Sequence, residues 1–263
     1  MKIAFSKYHG TGNDFIIVDN RNGAFNLTKE QINFICDRHL GIGADGLMLL
    51  GTSTSHDFEM KYYNADGGEG TMCGNGGRCI TAFARQVGIK AKEVRFLAID
   101  GEHKGQVVDN NNNDFVVKVS LRNIFKINKY PGYFVIDTGS PHYIEFHDDP
   151  DQIDIYNQGK KIRWDERFQP EGLNVNFVRQ EGNKLLVRTF ERGVEDITLS
   201  CGTGVTAAAV AADLRSENQN SKYFIHTYGG DLKVSFKKNG EQYHNVWLEG
   251  PVKHVFDGNI EIS

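Results

Sequence analysis

The chain is poor in the features that mark secreted and membrane proteins. It has 4 cysteines in 263 residues, which is too few for the disulfide framework of a small secreted domain, so we interpret them as thiols in a reducing compartment. No apolar run approaches the length that crosses a membrane. The N-terminal residues also lack the apolar segment and small-residue cleavage site of a secretory signal. These absences predict a cytoplasmic protein with no membrane partner.

An excess of charge of one sign is also lacking. The net charge is −4, with 30 basic and 34 acidic residues interspersed along the chain, which argues against nucleic acid as a partner. No glycine-rich loop carries the Gly-Lys-Ser/Thr of a phosphate-binding loop, and no serine nucleophile elbow is present. The sequence has no Cys-x-x-Cys and no paired histidine motif, so we expect no metal site. Charge and motifs therefore predict neither a nucleic-acid partner nor a metal site.

The segment from Gly41 to Gly46 matches the dinucleotide-binding pattern G-x-G-x-x-G, but its surroundings exclude that function. The pattern requires a strand before it and a helix after it. Here a capping box at Thr28 starts a helix before it. Helical spacing then follows at Ile32, Ile35, Cys36 and His39. Because the apolar run 47–50 predicts a buried strand after the motif, the match is not a cofactor site.

The chain contains two copies of a glycine-rich motif that begins with cysteine. Cys73-Gly74-Asn75-Gly76 is repeated as Cys201-Gly202-Thr203-Gly204. Each copy precedes an alanine-rich helical segment, at 78–87 and 205–214, so each cysteine is predicted to lie at a helix N-terminus. Unsatisfied backbone N–H groups and the positive end of the helix dipole stabilise an anion there, whether a thiolate or a ligand carboxylate. The glycines let a ligand approach the backbone closely.

The duplication extends beyond the cysteines. Asn64 lies nine residues before Cys73, and Glu191 lies ten residues before Cys201, each at the end of a predicted strand. A single such loop would most simply pack a small apolar side chain, whereas two copies indicate function. Both halves are rich in predicted strands. Both cysteine segments are apolar nearly all round, so each should be buried inside its own curved sheet.

Two thiols beside one anion site can transfer protons at carbon. If a carboxylate rests on both helix N-termini, its α-carbon lies between the sulfurs. One thiolate can take the α-proton while the other thiol supplies a proton to the opposite face, which inverts the stereocentre. The backbone N–H groups stabilise the charge that develops on the carboxylate. A dithiol redox protein is the alternative of a different class that the pattern leaves open.

The motifs, taken in order, resemble the diaminopimelate epimerase family of cofactor-independent amino-acid epimerases. The resemblance covers nearly the whole chain. The matching stretches are His9–Phe15, Arg38–Asp45, Asn64–Gly67, Cys73–Gly76, Gly139–His142, Glu191–Gly193 and Cys201–Gly204. The resemblance implies interconversion of LL- and meso-2,6-diaminopimelate by two-base proton transfer, in lysine and peptidoglycan precursor biosynthesis, with no cofactor.

The resemblance also implies an architecture. The expected fold is α/β in the broad sense (α+β), with two pseudo-symmetric domains, each a mixed and largely antiparallel curved sheet around a central helix. The N-terminal domain is expected at residues 1–120, completed by a last strand at about 254–263, and the C-terminal domain at 121–253. Domains that close on the substrate and a homodimer are also implied.

The site residues follow from the same resemblance. Cys73 and Cys201 are the implied catalytic pair, and His142 is placed beside them. The residues expected to hold the reacting carboxylate are Gly74, Asn75, Gly202 and Thr203. The residues expected to grip the distal amino-acid end are Asn13, Asn64, Asn174, Glu191 and Arg192.

Two positions depart from the family pattern, and one related activity stays open. The family commonly has Gln where Gly46 stands and Asn where Ser140 stands, so hydrogen bonding around the substrate should differ. An isomerase of the proline-racemase type, with the same fold and the same two-base chemistry, is the alternative. The amides and Arg192 assigned to the distal end favour a substrate with a second α-amino-acid group.

Overall fold

The structure, a computed structural model, describes residues 1–216 and 220–262. The chain divides into two compact units: unit 1 contains Met1–Val119 and Gly250–Ser263, and unit 2 contains Ser120–Glu249. Ser263, which the predicted last strand includes, lies outside the described residues. None of the helices in the described ranges is long and apolar enough to cross a membrane.

Eight strands of the described chain form a closed ring in unit 1. They are β1 (Lys2–Gly10), β2 (Asn13–Asp19), β3 (Gly46–Gly51), β4 (Phe58–Asn64), β5 (Val94–Ala98), β6 (Gly101–Asn111), β7 (Asp114–Ser120) and the second part of β16 (Gln242–Glu261). Neighbours pair in that order, and β16 also pairs with β1, which closes the ring. The helices are α1 (Lys29–Cys36) and α2 (Gly74–Gln86), and α2 packs against β1, β2, β3 and β6.

Unit 2 contains a curved sheet around α4. Its strands are β8 (Ile127–Tyr130), β9 (Tyr133–Asp137), β10 (Pro141–Phe146), β11 (Asn174–Glu181), β12 (Lys184–Glu191), β13 (Asp196–Thr198), β14 (Lys222–Thr227), β15 (Gly230–Asn239) and the first part of β16. The helices are α3 (Ile155–Arg163) and α4 (Gly202–Arg215), with 3₁₀ turns at Pro150–Gln152 and Glu166–Phe168. The helix α4 packs against β9 to β12 and against β14 and β15.

The two units repeat one pattern of strand pairing. From β1 to β7 the successive pairs are antiparallel, parallel, antiparallel, parallel, antiparallel and antiparallel. The same series runs through β9, β10, β11, β12, β14, β15 and β16. In this repeat α1 corresponds to α3, and α2 corresponds to α4. The mixed, largely antiparallel α+β fold confirms the predicted fold class, and it places the two cysteine loops at equivalent points.

The two cysteine helices are enclosed on all sides. Every residue of α2 from Gly74 to Ala84 is buried, and so is every residue of α4 from Gly204 to Asp213. A helix without a polar face is stable only where other elements cover it. The prediction that each cysteine helix is buried in its own sheet is therefore confirmed.

Two local predictions were wrong. The helix α1 starts at the predicted capping box but ends at Cys36, so His39 lies beyond it. There the Asp37 carboxylate accepts the N–H groups of His39 and Leu40 and turns the chain away. The asparagine-rich segment 109–114, whose composition predicts a solvated turn, is mostly strand, because β6 continues to Asn111 and β7 begins at Asp114. Asn112 has a φ of 56°, which asparagine adopts more readily than most residues, so a two-residue turn suffices.

Candidate active site

Cys73 lies at the N-terminus of α2, as its N-cap residue. Its backbone is extended, with φ −95° and ψ 140°, and its Sγ accepts the backbone N–H of Gly76 at 3.4 Å. Gly74 and Asn75 follow as the first, buried residues of the helix. The predicted position at a helix N-terminus is confirmed. The sulfur therefore lies where the helix dipole and the unsatisfied N–H groups favour negative charge.

Two of the predicted binding residues, Asn13 and Asn75, lie against Cys73. The sulfur is 3.6 Å from Oδ1 of Asn13, which also accepts the side-chain amide of Asn75 at 3.3 Å. Asn13 donates its own amide to the Asp45 carboxylate at 2.6 Å. Because that carboxylate can only accept, it determines which end of the Asn13 amide lies at the sulfur.

Arg78 is a candidate functional residue that the sequence analysis missed. Its fully buried guanidinium donates to the Gly74 carbonyl at 3.3 Å, to Asn75 Oδ1 at 3.0 Å and to the Thr11 hydroxyl at 3.3 Å. Burial lowers the pKa of Arg78 to about 10, so the side chain is still charged at neutral pH. The available signal was a basic residue near the start of a helix whose following residues, 79–84, are mostly apolar. Arg78 anchors the loop that carries Cys73.

A network of ion pairs holds Asn13 in place beside Cys73. Asp14 pairs with Arg38 at 2.7 Å and with Lys7 at 2.6 Å, and Arg38 also pairs with Asp45 at 2.7 Å. Burial alone would raise the pKa of Asp14, but hydrogen bonds from Arg38 and Lys7 outweigh it and lower the pKa to about 2. Asp14 is therefore ionised at neutral pH. The network anchors Asp45, which in turn holds Asn13.

The side chain of Tyr62 occupies the space next to Gly46. Gly46 begins β3 and is paired with Asn64, the last residue of β4. A Cβ atom at position 46 would lie 2.6 Å from the Tyr62 ring and 2.5 Å from the Tyr63 carbonyl oxygen, so only glycine fits. The Tyr62 hydroxyl donates to Oδ1 of Asn64 at 2.9 Å. Tyr62 therefore orients the amide of this predicted binding residue.

Cys201 holds the equivalent place in unit 2, as the N-cap residue of α4. Its backbone is extended, with φ −115° and ψ 111°, and Gly202 begins the helix. The sulfur lies 3.5 Å from the hydroxyl oxygen of Thr203. A Cβ atom at position 204 would lie 2.5 Å from Oδ1 of Asn176, so this turn requires glycine. Both copies of the loop thus place a cysteine at a helix N-terminus.

Four polar side chains form a hydrogen-bonded network beside Cys201. Ser140 Oγ lies 3.4 Å from Thr203 Oγ1 and 3.0 Å from His142 Nε2. Asn174 donates its side-chain amide to the same serine oxygen at 3.3 Å. The structure therefore brings three predicted residues, His142, Asn174 and Thr203, together with Cys201. Ser140 joins them, although the sequence analysis assigned it no role.

Glu191 and Arg192 lie at and just after the end of β12. Glu191 is the last residue of the strand, as Asn64 is of the equivalent β4. The backbone N–H of Arg192 donates to Asn174 Oδ1 at 3.0 Å, and its Nη1 donates to the carbonyl oxygens of residues 171 and 172 at 3.1 and 3.4 Å. One corner of the guanidinium is thus held by the backbone. The edge formed by Nε and Nη2 has the geometry that binds a carboxylate through two hydrogen bonds.

His142 is held as a neutral side chain. It is fully buried, and Nδ1 lies 3.2 Å from the side-chain amide of Asn176. Burial, reinforced by the charge of Arg192, lowers the pKa of His142 to about 3. The imidazole therefore carries no charge at neutral pH.

This neutrality makes the stability of the fold depend on pH. Unfolded histidine binds a proton below about pH 6.5, whereas folded His142 does so only near pH 3. The unfolded state binds more protons in this window, so stability is highest above pH 6.5 and falls as the pH decreases towards 3. In His142→Gln we expect a slope of unfolding free energy against pH that is smaller by up to about 1.4 kcal/mol per pH unit. Denaturant titrations between pH 4 and 7 measure it, and equal slopes in both proteins would contradict the assignment.

The fold defines a class of protein. A PhzF-family phenazine biosynthesis protein from Bacillus anthracis superposes with a TM-score of 0.79 at 14% identity, covering 100% of both chains. A hydroxyproline epimerase from Agrobacterium vitis superposes with a TM-score of 0.71 at 14% identity, over 98% of this chain and 92% of its own. At such identities the similarity shows the fold alone. The chain has the two-unit fold shared by PhzF proteins and proline-racemase-type epimerases.

Sequence comparison then specifies the family. The diaminopimelate epimerase family profile matches residues 5–122 and 134–255. A diaminopimelate epimerase from Flavobacterium psychrophilum is 44% identical over 256 residues, which is 97% of this chain and 98% of its own. One from Chlorobaculum tepidum is 42% identical over 259 residues, 96% of this chain and 99% of its own. The chain belongs to the diaminopimelate epimerase family, which confirms the resemblance seen in the motifs.

Proposed function

We propose that this chain interconverts LL- and meso-2,6-diaminopimelate by proton transfer at one α-carbon, with Cys73 and Cys201 as the two proton carriers. The observation that carries this proposal is the pair of cysteines, each the N-cap residue of a buried helix at equivalent points of the duplicated sheets. Such a pair suits a reaction that needs one thiolate and one thiol at the same time. Family membership supplies the substrate.

Backbone N–H groups at the two helix starts are proposed to bind the reacting carboxylate. The residues that supply them are Gly74, Asn75, Gly202 and Thr203. N–H groups in the first turn of a helix have no partner within the helix, so they can stabilise the negative charge that grows as the α-proton leaves. One sulfur, as thiolate, takes that proton, and the other, as thiol, delivers its proton to the opposite face of the carbon. Both proton transfers use only the two sulfurs.

The distal amino-acid end of the substrate is proposed to bind to the polar residues near the strand ends. These residues are Asn13, Asn64, Asn174, Glu191 and Arg192. Arg192 supplies the fixed positive charge for the distal carboxylate, since the backbone already holds its Nη1. Glu191 supplies the negative charge for the distal ammonium group.

We further propose that the units act as two domains, residues 1–120 with the last strand at about 254–263 and residues 121–253, which close on the substrate. The division of the chain into two compact units supports this assignment. The family resemblance supports a homodimer and a place in lysine and peptidoglycan precursor synthesis. A cytoplasmic location suits the chemistry, because the four cysteines are thiols in the structure and a reducing compartment keeps them so.

The proposal is tested by incubating the protein with LL-diaminopimelate or the meso isomer in deuterated water. We expect each isomer to convert to the other, with one deuterium entering at a single α-carbon of each product. Absence of exchange with either isomer contradicts the proposal. Equal turnover of proline or alanine would favour the proline-racemase-type alternative.

A further inference from the structure

The hydrogen bonds beside Cys201 have a direction that buried neighbours determine. Asn176 is fully buried, and its Nδ2 lies 3.0 Å from the carbonyl oxygen of Tyr143, which can only accept. The hydroxyl of Thr189 donates to the other end of the amide, Oδ1, at 2.9 Å. Nδ2 is therefore the donor end, and it donates to His142 Nδ1 at 3.2 Å. Because the imidazole is neutral, its single N–H is on Nε2.

A second donor of known direction reaches Ser140. The backbone N–H of Arg192 donates to Asn174 Oδ1, so Asn174 Nδ2 is the group that donates to Ser140 Oγ at 3.3 Å. The Nε2–H of His142 lies 3.0 Å from the same oxygen. Ser140 Oγ thus accepts from two N–H donors. Its own hydrogen is left to be donated to Thr203 Oγ1, 3.4 Å away.

Thr203 ends this path at the sulfur. Because its Oγ1 accepts the hydrogen of Ser140, its own hydroxyl hydrogen is directed to Cys201 Sγ at 3.5 Å. The hydroxyl of Thr138 holds the Thr203 carbonyl from the other side, at 3.0 Å. A donated hydroxyl hydrogen stabilises a thiolate more than a thiol, since the charged sulfur is the stronger acceptor.

We propose that Ser140 is a positioning residue, which acts through the Thr203 hydroxyl to stabilise the thiolate form of Cys201. The inference rests on the proposed function, in which Cys201 is one of the two proton carriers. Ionisable groups near this path, on or next to the strands that pack against α4, include Asp137, His142, Glu191 and Arg192. His142 enters the path as a neutral donor, because its burial and the charge of Arg192 oppose protonation.

The direction of the path also predicts which side chains can replace Ser140. An asparagine side chain has an oxygen that can accept from His142 and Asn174, and an NH₂ group that can donate to Thr203. Alanine has neither group. Asparagine at position 140 should therefore preserve the hydrogen bond from the Thr203 hydroxyl to the Cys201 sulfur. Alanine should weaken that hydrogen bond, because it cannot orient the Thr203 hydroxyl.

The experiment is the pH profile of alkylation by iodoacetamide, measured for each cysteine by peptide mass spectrometry without substrate. The midpoint of each profile is compared, because the maximal rate also depends on access to the sulfur. In Thr203→Val we expect the Cys201 midpoint to rise by about 1 pH unit. Ser140→Ala should raise it by less, because the Thr203 hydroxyl is then free to rotate, and Ser140→Asn should leave it unchanged. Cys73, which lies against Asn13 in unit 1, is the internal control with a constant midpoint.

An unchanged Cys201 midpoint in Thr203→Val or in folded Ser140→Ala overturns the proposal, and so does an equal shift at both cysteines. If thermal melting shows that Ser140→Ala does not fold, Thr203→Val and Thr203→Ser decide the question, because serine keeps the hydroxyl and should keep the wild-type midpoint. Alkylation requires no turnover. A failure of the proposed function would instead appear as an absence of deuterium exchange by the wild-type protein.

Discussion

Replacement of Cys73 or Cys201 by alanine should stop the interconversion of LL- and meso-diaminopimelate in both directions. Each direction needs one sulfur as thiolate and the other as thiol, so neither cysteine can substitute for its partner. Loss of one member of an acid and base pair costs about a hundredfold to ten-thousandfold in kcat. The measurement is the initial rate of epimerisation by each variant, at substrate concentrations that separate kcat from KM.

The matched control for these variants is Cys36→Ala. Cys36 is a buried thiol in the hydrophobic core of unit 1, packed among Ile32, Ile35 and Leu47. Its removal should lower the melting temperature, because a small cavity remains, while the rate stays within about threefold of wild type. If Cys73→Ala or Cys201→Ala also keeps its rate within threefold, the two-thiol mechanism is wrong. A dithiol oxidoreductase would instead turn over in a reductase-coupled assay.

The second large effect is expected for Arg192→Met, which removes the positive charge proposed to bind the distal carboxylate. Methionine keeps much of the length of the side chain but can donate no hydrogen bond. Truncating one member of a desolvated charged pair costs about 2–5 kcal/mol, which corresponds to a loss of about 30-fold or more in kcat/KM. The loss should appear for diaminopimelate, while the alkylation rate of both cysteines stays at the wild-type value.

Two further variants test whether Arg192 acts by binding a carboxylate or by holding residues 171 and 172 through their carbonyl oxygens. Arg192→Lys should recover only part of the loss, because an ammonium group cannot bind a carboxylate as a planar fork does. Arg167→Met is the control, since Arg167 is an exposed arginine of unit 2 paired with Asp165, and it should change kcat/KM by less than about twofold. Wild-type kcat/KM in Arg192→Met would show that the distal carboxylate binds elsewhere.

The part of the fold that could be predicted depends on interactions between residues close in sequence. The capping box at Thr28 starts α1 as predicted, and both cysteine loops open a helix, because glycine and N-cap chemistry act between residues close in sequence. The end of α1 could not be predicted in the same way. It depends on the Asp37 side chain, which bonds to the backbone of His39 and Leu40 and so competes with the next helical turn.

Departures from the family pattern show where local signals are insufficient. Gly46 ends the G-x-G-x-x-G match, and nothing near it along the chain indicates which side chain lies against it. The strand pairing of β3 with β4 brings Tyr62 over it, and the hydroxyl of Tyr62 then reaches Asn64. The space at Gly46 is occupied by a residue of the next strand, so the contact follows from register and not from sequence spacing.

The sequence by itself determined that two thiols lie at two helix N-termini, because a duplicated Cys-Gly-x-Gly before an alanine-rich segment places them there by local rules alone. Only the tertiary structure decided how each sulfur is surrounded. The partner of Cys73, Asn13, comes from a distant strand, and the residues that orient Thr203 beside Cys201, from Asn176 through His142 to Ser140, come from other strands and the loop between them. The direction of a hydrogen bond depends on which donors and acceptors are buried together, and burial is a property of the folded chain.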